Sequence, residues 1–304
     1  MKNIIEFYYN LSPDNIKEEN NIYYFNINNN KYIFKIYNIN TNLIEDIVNI
    51  NKYLSNYINN DKIILNKYNN PITNINNINY ILINIKNNNN KLNIKLINTF
   101  SMIPITNIKV LERNNWEHLW STIIDYYETQ IEENSKKYPL IRETFDYFIG
   151  LAENAISYLA YTKKELSPTI YDQKVLSHNN LYSSLYDPLN IILDHKSRDI
   201  AEYIKLSFFN NNQKIFSELD EYFYYNKYSN YGIRVLFARI LYPSFYFKIY
   251  NDIIQKKVKE KELNKIINNI NNYEMYLLKV YNYLRKYTTL PQIEWLKKRD
   301  TNSR

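Results

Sequence analysis

The residues able to do chemistry in this chain crowd into one stretch, Thr169 to Phe209, which reads TIYDQKVLSHNNLYSSLYDPLNIILDHKSRDIAEYIKLSFF. Within it His178-Asn179-Asn180 follow the apolar pair Val175-Leu176. The apolar run Ile191-Ile192-Leu193 then delivers Asp194-His195 just before Ser197-Arg198-Asp199 open a helix. A carboxylate at a strand end, close to a polar triplet, is a layout for holding phosphate and metal. Mg²⁺ takes hard oxygen ligands and is commonly bound through one or two carboxylates plus substrate phosphates. His195 has two readings, a second metal ligand or a hydrogen-bonded structural residue. Asp125 and Glu128 lie one helical turn apart with no His at a compatible spacing and read as structural, and His118 has no useful partner and takes no role.

The elements that must position these groups follow from periodicity. Asn21 to Asn40 reads as a β-hairpin: Tyr32, Phe34 and Ile36 alternate with Lys31, Lys35 and Tyr37 after a tight Asn28-Asn29-Asn30 turn. Asn tolerates positive φ, so it replaces Gly there. Leu43 to Ile58 carries apolar residues at helical spacing behind Thr41 as N-cap, and Ile63 to Leu65 and Tyr80 to Ile85 are further strands. Asn87 to Asn90 is the clearest breaker and the expected hinge. Beyond it the pattern is helical, with long helices from Trp116 and after Pro139, further helices over 215–225, 232–241, 245–258 and 263–287, and a tail docked by Trp295. The expectation is a small lobe over 1–86 and a helical lobe over 87–304.

Composition narrows the functions. The 304 residues include 33 Tyr and 13 Phe, too much aromatic area for a disordered chain, and the excess of Asn, Ile, Lys and Tyr has the look of codon bias from an AT-rich genome. With only Gly150 and Gly232, neither a Gly-rich nucleotide loop nor a P-loop can form. Absence of Cys excludes disulfides, a thiolate nucleophile and Cys-ligated zinc. The first residues lack a signal peptide's apolar core, and no window approaches 18 apolar residues, so neither export nor a membrane span is expected. The net charge of +7 is interleaved with acids and accompanied by no recognition motif, which argues against a nucleic-acid partner.

The polar stretch resembles the aminoglycoside and choline kinase-like superfamily, whose members carry His-Gly-Asp, an Asn five residues after that Asp, and later a metal-binding Asp. The runs LDHKSRDIAEYIK, GLAENAISYL, IRVLFARILYPSFYF and LPQIEWLKKR resemble one branch more closely, the spore-coat kinase-like proteins of endospore formers, the YutH type. These matches span about Trp116 to Arg299. The resemblance implies an α+β, protein kinase-like bilobal fold with a small antiparallel-sheet N-lobe and a mainly helical C-lobe.

Carried over position by position, the resemblance sets Asn180 where an active phosphotransferase has its catalytic Asp, and Leu185 where it has its second metal ligand. A neutral amide cannot act as a general base near neutral pH. His178, Asp194 and Asp199 persist, His178 ordering the loop, Asp194 as candidate metal ligand and Asp199 as the brace of the degenerate loop from the following helix. In the small lobe the resemblance makes the hairpin the nucleotide cover. It points to Lys35 as the phosphate-binding lysine, with Glu45 as its ion-pair partner. The plainer readings are a solvated strand lysine and a glutamate stabilising a helix N-terminus. ATP with Mg²⁺ is the implied cofactor, weakly held.

The leading expectation is therefore an endospore coat-associated kinase-fold protein that acts in coat assembly and has lost phosphoryl transfer. Its partners would be other coat proteins, and it would be made in the mother-cell cytoplasm and then enter the coat. Two alternatives stay open. One is a divergent ATP-dependent phosphotransferase acting on a small hydroxylated molecule or a protein, with Asp187 or Asp194 replacing the lost base. The other is a basic aromatic scaffold with a vestigial cleft.

Overall fold

A computed structural model of the chain describes residues 1–86, 92–105 and 111–301. The chain forms two compact units that are interleaved in sequence: Met1–Asn93, Thr99–Glu112 and Leu176–Leu193 in the first, Ile94–Asn98, Arg113–Val175 and Asp194–Arg304 in the second. The expected hinge at Asn87 to Asn90 lies outside the described residues.

The first unit is built on an antiparallel sheet of β1 (Ile16–Glu19), β2 (Ile22–Ile27), β3 (Asn30–Ile36), β4 (Lys62–Ile64), β5 (Ile72–Ile75) and β6 (Ile78–Ile85), ordered β1-β2-β3-β6-β4, with β5 also pairing β6. Three of its turns are two residues long and each is Asn-Asn. Asn20-Asn21, Asn28-Asn29 and Asn76-Asn77 all have positive φ at both positions, between 47° and 65°. Two consecutive positive φ values define the type I′ hairpin turn, which matches strand twist and favours Asn and Gly. A chain almost without Gly makes these turns from Asn.

Strand alternation then sorts the two faces of this sheet. Phe34 pairs Leu82 and Ile36 pairs Tyr80 on one face. There Ile5 and Tyr9 of α1 (Lys2–Tyr9) join them in a buried cluster with Phe25. Lys35 pairs Ile81 and Ile33 pairs Ile83 on the other face. Here Ile44, the first residue of α2 (Ile44–Leu54), packs with Tyr37, Ile81 and Ile83. Helix α2 ends at Leu54 rather than Ile58. Helix α1 and strands β1 and β5 are short elements that period counting passes over.

Helix α3 (Ile94–Met102) has residues in both units; in the second unit, α4 (Trp116–Lys137) and α5 (Pro139–Glu165) pack on each other, and α6 (Ser197–Phe209) and α5 both pack on α8 (Asn230–Leu241). Every residue from Tyr231 to Leu241 is buried, so α8 is the central rod, apolar all round except for Arg234 and Arg239, each of which meets a carboxylate. It ends before Pro243, where buried Lys205 caps it. The ammonium lies 3.0 Å from the carbonyls of Arg239 and Tyr242, 2.7 Å from Glu202 Oε1 and 2.7 Å from Ser244 Oγ. Helices α7 (Ile215–Tyr225), α9 (Ser244–Ile254), α10 (Asn264–Ile267), α11 (Ile270–Leu284) and α12 (Glu294–Thr301) complete the unit. The helix expected over 263–287 is interrupted at Asn268-Asn269. The tail is anchored by Leu290, Ile293 and Leu296, all buried, while Trp295 is only half-buried. The spacing of three turns that apolar row inward and Trp295 to its flank.

Candidate functional site

Strand β7 (Lys174–His178) pairs with β8 (Ile191–His195), and the segment 179–190 joins them. His178 is buried at the strand end. Its Nε2 lies 3.0 Å from the Leu185 carbonyl and its ring meets Phe100 edge-on at 4.5 Å. Asn190 pins the loop base: its Oδ1 accepts from Asn180 N–H at 2.9 Å and its Nδ2 donates to the carbonyls of Asn180 and Ser184. The Asn180 carboxamide is itself engaged, its Oδ1 accepting from Tyr182 N–H at 2.8 Å. This turn, in which a side chain mimics a backbone acceptor, is what Asn does well. Leu185 is buried and brings only hydrocarbon.

The same segment is fastened to the face of the sheet that carries Lys35. Lys35 Nζ forms an ion pair with Asp187, both side chains 19% exposed. Asp187 uses its other oxygen to cap the turn at 188–190, accepting from Leu189 N–H at 3.0 Å. Leu189 packs against the Ile81 and Ile83 cluster, and Asp61 N–H donates to the Tyr186 carbonyl. Glu45 lies exposed in the first turn of α2, so the partner of Lys35 here is Asp187.

Asp194 belongs to the second unit. It is 1% exposed, and its Oδ1 accepts from Arg239 Nη2 and from His195 N–H, each at 2.6 Å. The Arg239 guanidinium lies 4.1 Å from the Trp116 ring centroid, a cation–π contact. Burial pulls the Arg239 pKa down to about 10 against the attraction of Asp194. Arg239 escaped the sequence reading, although Arg234 and Arg239, the two cations inside the otherwise apolar run IRVLFARIL, were the signal. Asp199 is buried in the first turn of α6.

A second polar cluster was also missed. Asp172 accepts from Thr169 N–H and from Ser229 Oγ, and Ser229 caps α8 by accepting from Gly232 N–H. Burial opposes the charge of Asp172, but the His195 ring and these hydrogen bonds overcome it and hold its pKa at about 2. His195 Nδ1 accepts from Ser197 N–H at 3.1 Å, which leaves the proton on Nε2, facing Asp172 Oδ1 at 3.6 Å. Burial lowers the His195 pKa, so the ring is neutral at neutral pH. The order Ser197, His195, Asp172 has the sequence of a nucleophile relay, but Ser197 is fully buried and the chain fixes the turn into α6. Of the two readings of His195, the hydrogen-bonded structural one matches these contacts.

Asp194 suits a divalent cation poorly, because its Oδ1 is held by Arg239. Among the described residues no three His, Cys, Asp or Glu side chains converge on a metal-sized site.

The architecture is the kinase-like phosphotransferase fold. It is similar to an aminoglycoside phosphotransferase from Alicyclobacillus acidocaldarius subsp. acidocaldarius DSM 446, with a TM-score of 0.59 and 13% identity over 91% of this chain and 94% of that one. It is likewise similar to spectinomycin phosphotransferase in complex with ADP and spectinomycin, with a TM-score of 0.57 and 12% identity over 94% and 92%. Within that fold the chain belongs to the family described as spore coat putative kinase YutH, whose model matches residues 2–280. It is 29% identical over 208 residues to the endospore coat-associated protein YutH of Bacillus subtilis (strain 168), a match covering 60% of this chain. The matched part spans 61% of that relative's length.

Proposed function

We propose that this protein is a coat-associated member of its family that uses the kinase fold as an assembly module and does not transfer phosphate efficiently. Its partners are other coat proteins, with which it enters the coat after synthesis in the mother cell. The observation that carries the loss of chemistry is the Lys35–Asp187 ion pair: the lysine the resemblance assigns to phosphate already has a carboxylate from the chain's own loop. Three further features support it. Asn180 offers no base, Leu185 offers no metal ligand, and Asp194 is neutralised by Arg239. Phosphoryl transfer depends almost wholly on positioning and charge neutralisation, so these losses strike its main terms together. Coat association is extended to this chain from its relative, the endospore coat-associated protein YutH of Bacillus subtilis (strain 168).

Thermal shift and labelled-ATP transfer test this reading. Mg-ATP is expected to raise the melting temperature of the wild type little. It should raise that of Asp187→Asn more, because the substitution frees Lys35 and a ligand that binds only the native state stabilises by mass action. Neither protein should phosphorylate itself or coat proteins. Robust Mg²⁺-dependent transfer by the wild type, lost in Lys35→Ala, would move the protein into the divergent-phosphotransferase class.

A further inference from the structure

The second unit carries a groove that neither the phosphotransferase fold nor the coat reading uses. It lies between the C-terminal end of α6, the start of α7 and one face of α11, and encloses about 850 Å³. Its floor is aromatic: Phe208 and Phe216 stand 5.3 Å and 6.4 Å from Tyr276, all three half-buried. Lys265 and Lys279 stand exposed on its rim, and no Asp or Glu is among the described residues that line it. Lys265 pairs with Glu262 at 2.6 Å, but both groups are solvated and such a pair is worth little, so the ammonium is available.

A further observation agrees with an anionic occupant. The N-terminus of α7 opens into the groove at Ile215 and Phe216, and no side chain caps it. Uncapped amide groups and the positive end of the helix dipole attract a carboxylate.

We infer that this groove docks a linear peptide whose aromatic or aliphatic side chains enter between Phe208, Phe216 and Tyr276, while flanking Asp or Glu side chains meet Lys265, Lys279 and the start of α7. Apolar anchors in a pocket with a charged rim are how such segments are held. A nucleic-acid strand fits less well, because two lysines do not make the continuous cationic track that a phosphate backbone requires. The inference rests on the groove alone and stands or falls separately from the coat reading.

Fluorescence anisotropy with the full chain decides it. The probe is a short fluorescein-labelled peptide alternating Glu with Phe, and its counterpart has Lys in place of Glu. The acidic peptide is expected to bind and the basic one not. Lys265→Glu combined with Lys279→Glu should weaken binding roughly tenfold at low salt, and Phe216→Ala should weaken it with the lysines intact. Both lysines are exposed, so an unchanged melting curve will show that the charge-reversed protein is folded. The inference is overturned if the acidic peptide does not bind, if the basic peptide binds equally, or if the charge reversal leaves affinity unchanged. Displacement of the peptide by a lower concentration of oligothymidylate would assign the groove to nucleic acid instead.

Discussion

Asp194→Ala separates two roles for one carboxylate, an ion-pair partner in the core and a metal ligand. In the first role its loss leaves the Arg239 guanidinium, 3% exposed, without the carboxylate now 2.6 Å away. Removing one member of a buried pair costs about 3–5 kcal/mol, chiefly because the other charge is left desolvated. Stacking on Trp116 keeps part of the cation's stabilisation and places the expected loss near the lower end, about 3 kcal/mol. At roughly 2–4 °C per kcal/mol for a protein of this size class, the melting temperature should fall by about 6–12 °C. The assay is a circular-dichroism melt in EDTA without nucleotide, run on Asp194→Ala, Arg239→Met and the double variant. The double variant should recover much of the loss, because neither charge is then buried alone. A melting temperature within about 2 °C of wild type in Asp194→Ala, or strict additivity in the double variant, would refute the ion-pair role and return Asp194 to the metal. One consequence is practical: activity lost in Asp194→Ala does not by itself assign chemistry to this residue, since the fold is weakened as well.

Other outcomes are expected. Asp199→Ala should lower the melting temperature, by roughly 1–3 kcal/mol of stability, if Asp199 braces the degenerate loop; an unchanged melt would count against that role. Asp172 has its pKa lowered from 3.8 to about 2 by folding, so its contribution is complete above the unfolded value and lost as pH falls through that window. Asp172→Asn should flatten acid unfolding between those limits, as read by fluorescence. A Cβ at Gly232 would run into the Asp172 carboxylate oxygen, which Ser229 and Thr169 hold in place. Gly232→Ala should therefore cost about 1–3 kcal/mol, and Asp172→Ser in the same chain should relieve it. Asn77→Val should lose about 1–2 kcal/mol in a chemical melt, because the turn demands positive φ, whereas Asn77→Gly should be neutral or stabilising.

Local order was readable in the sequence because its causes are local. The alternation of Phe34 and Ile36 with Lys35 decides which side chains share a face of the sheet, and Asn-Asn between strand patterns is a turn whatever the rest of the chain does. The apolar run before Asp194 likewise announced a buried strand, and the helices after Trp116 and Pro139 announced themselves by period. Short elements such as β1 and β5 did not, since four residues carry too little pattern. The partners of charged groups were decided only by the tertiary structure. Lys35 and Asp187 are far apart in sequence, as are Asp194 and Arg239, and a side chain's spacing along its own strand says nothing about which distant carboxylate desolvation will force it to meet. Glu45 was a sound partner for Lys35 on the family's pattern, yet the segment 179–190 brings Asp187 to it, because Leu189 buries itself on Ile81 and Ile83 and carries the neighbouring carboxylate along. Apolar burial sets where that loop lies, and the ion pair follows from it.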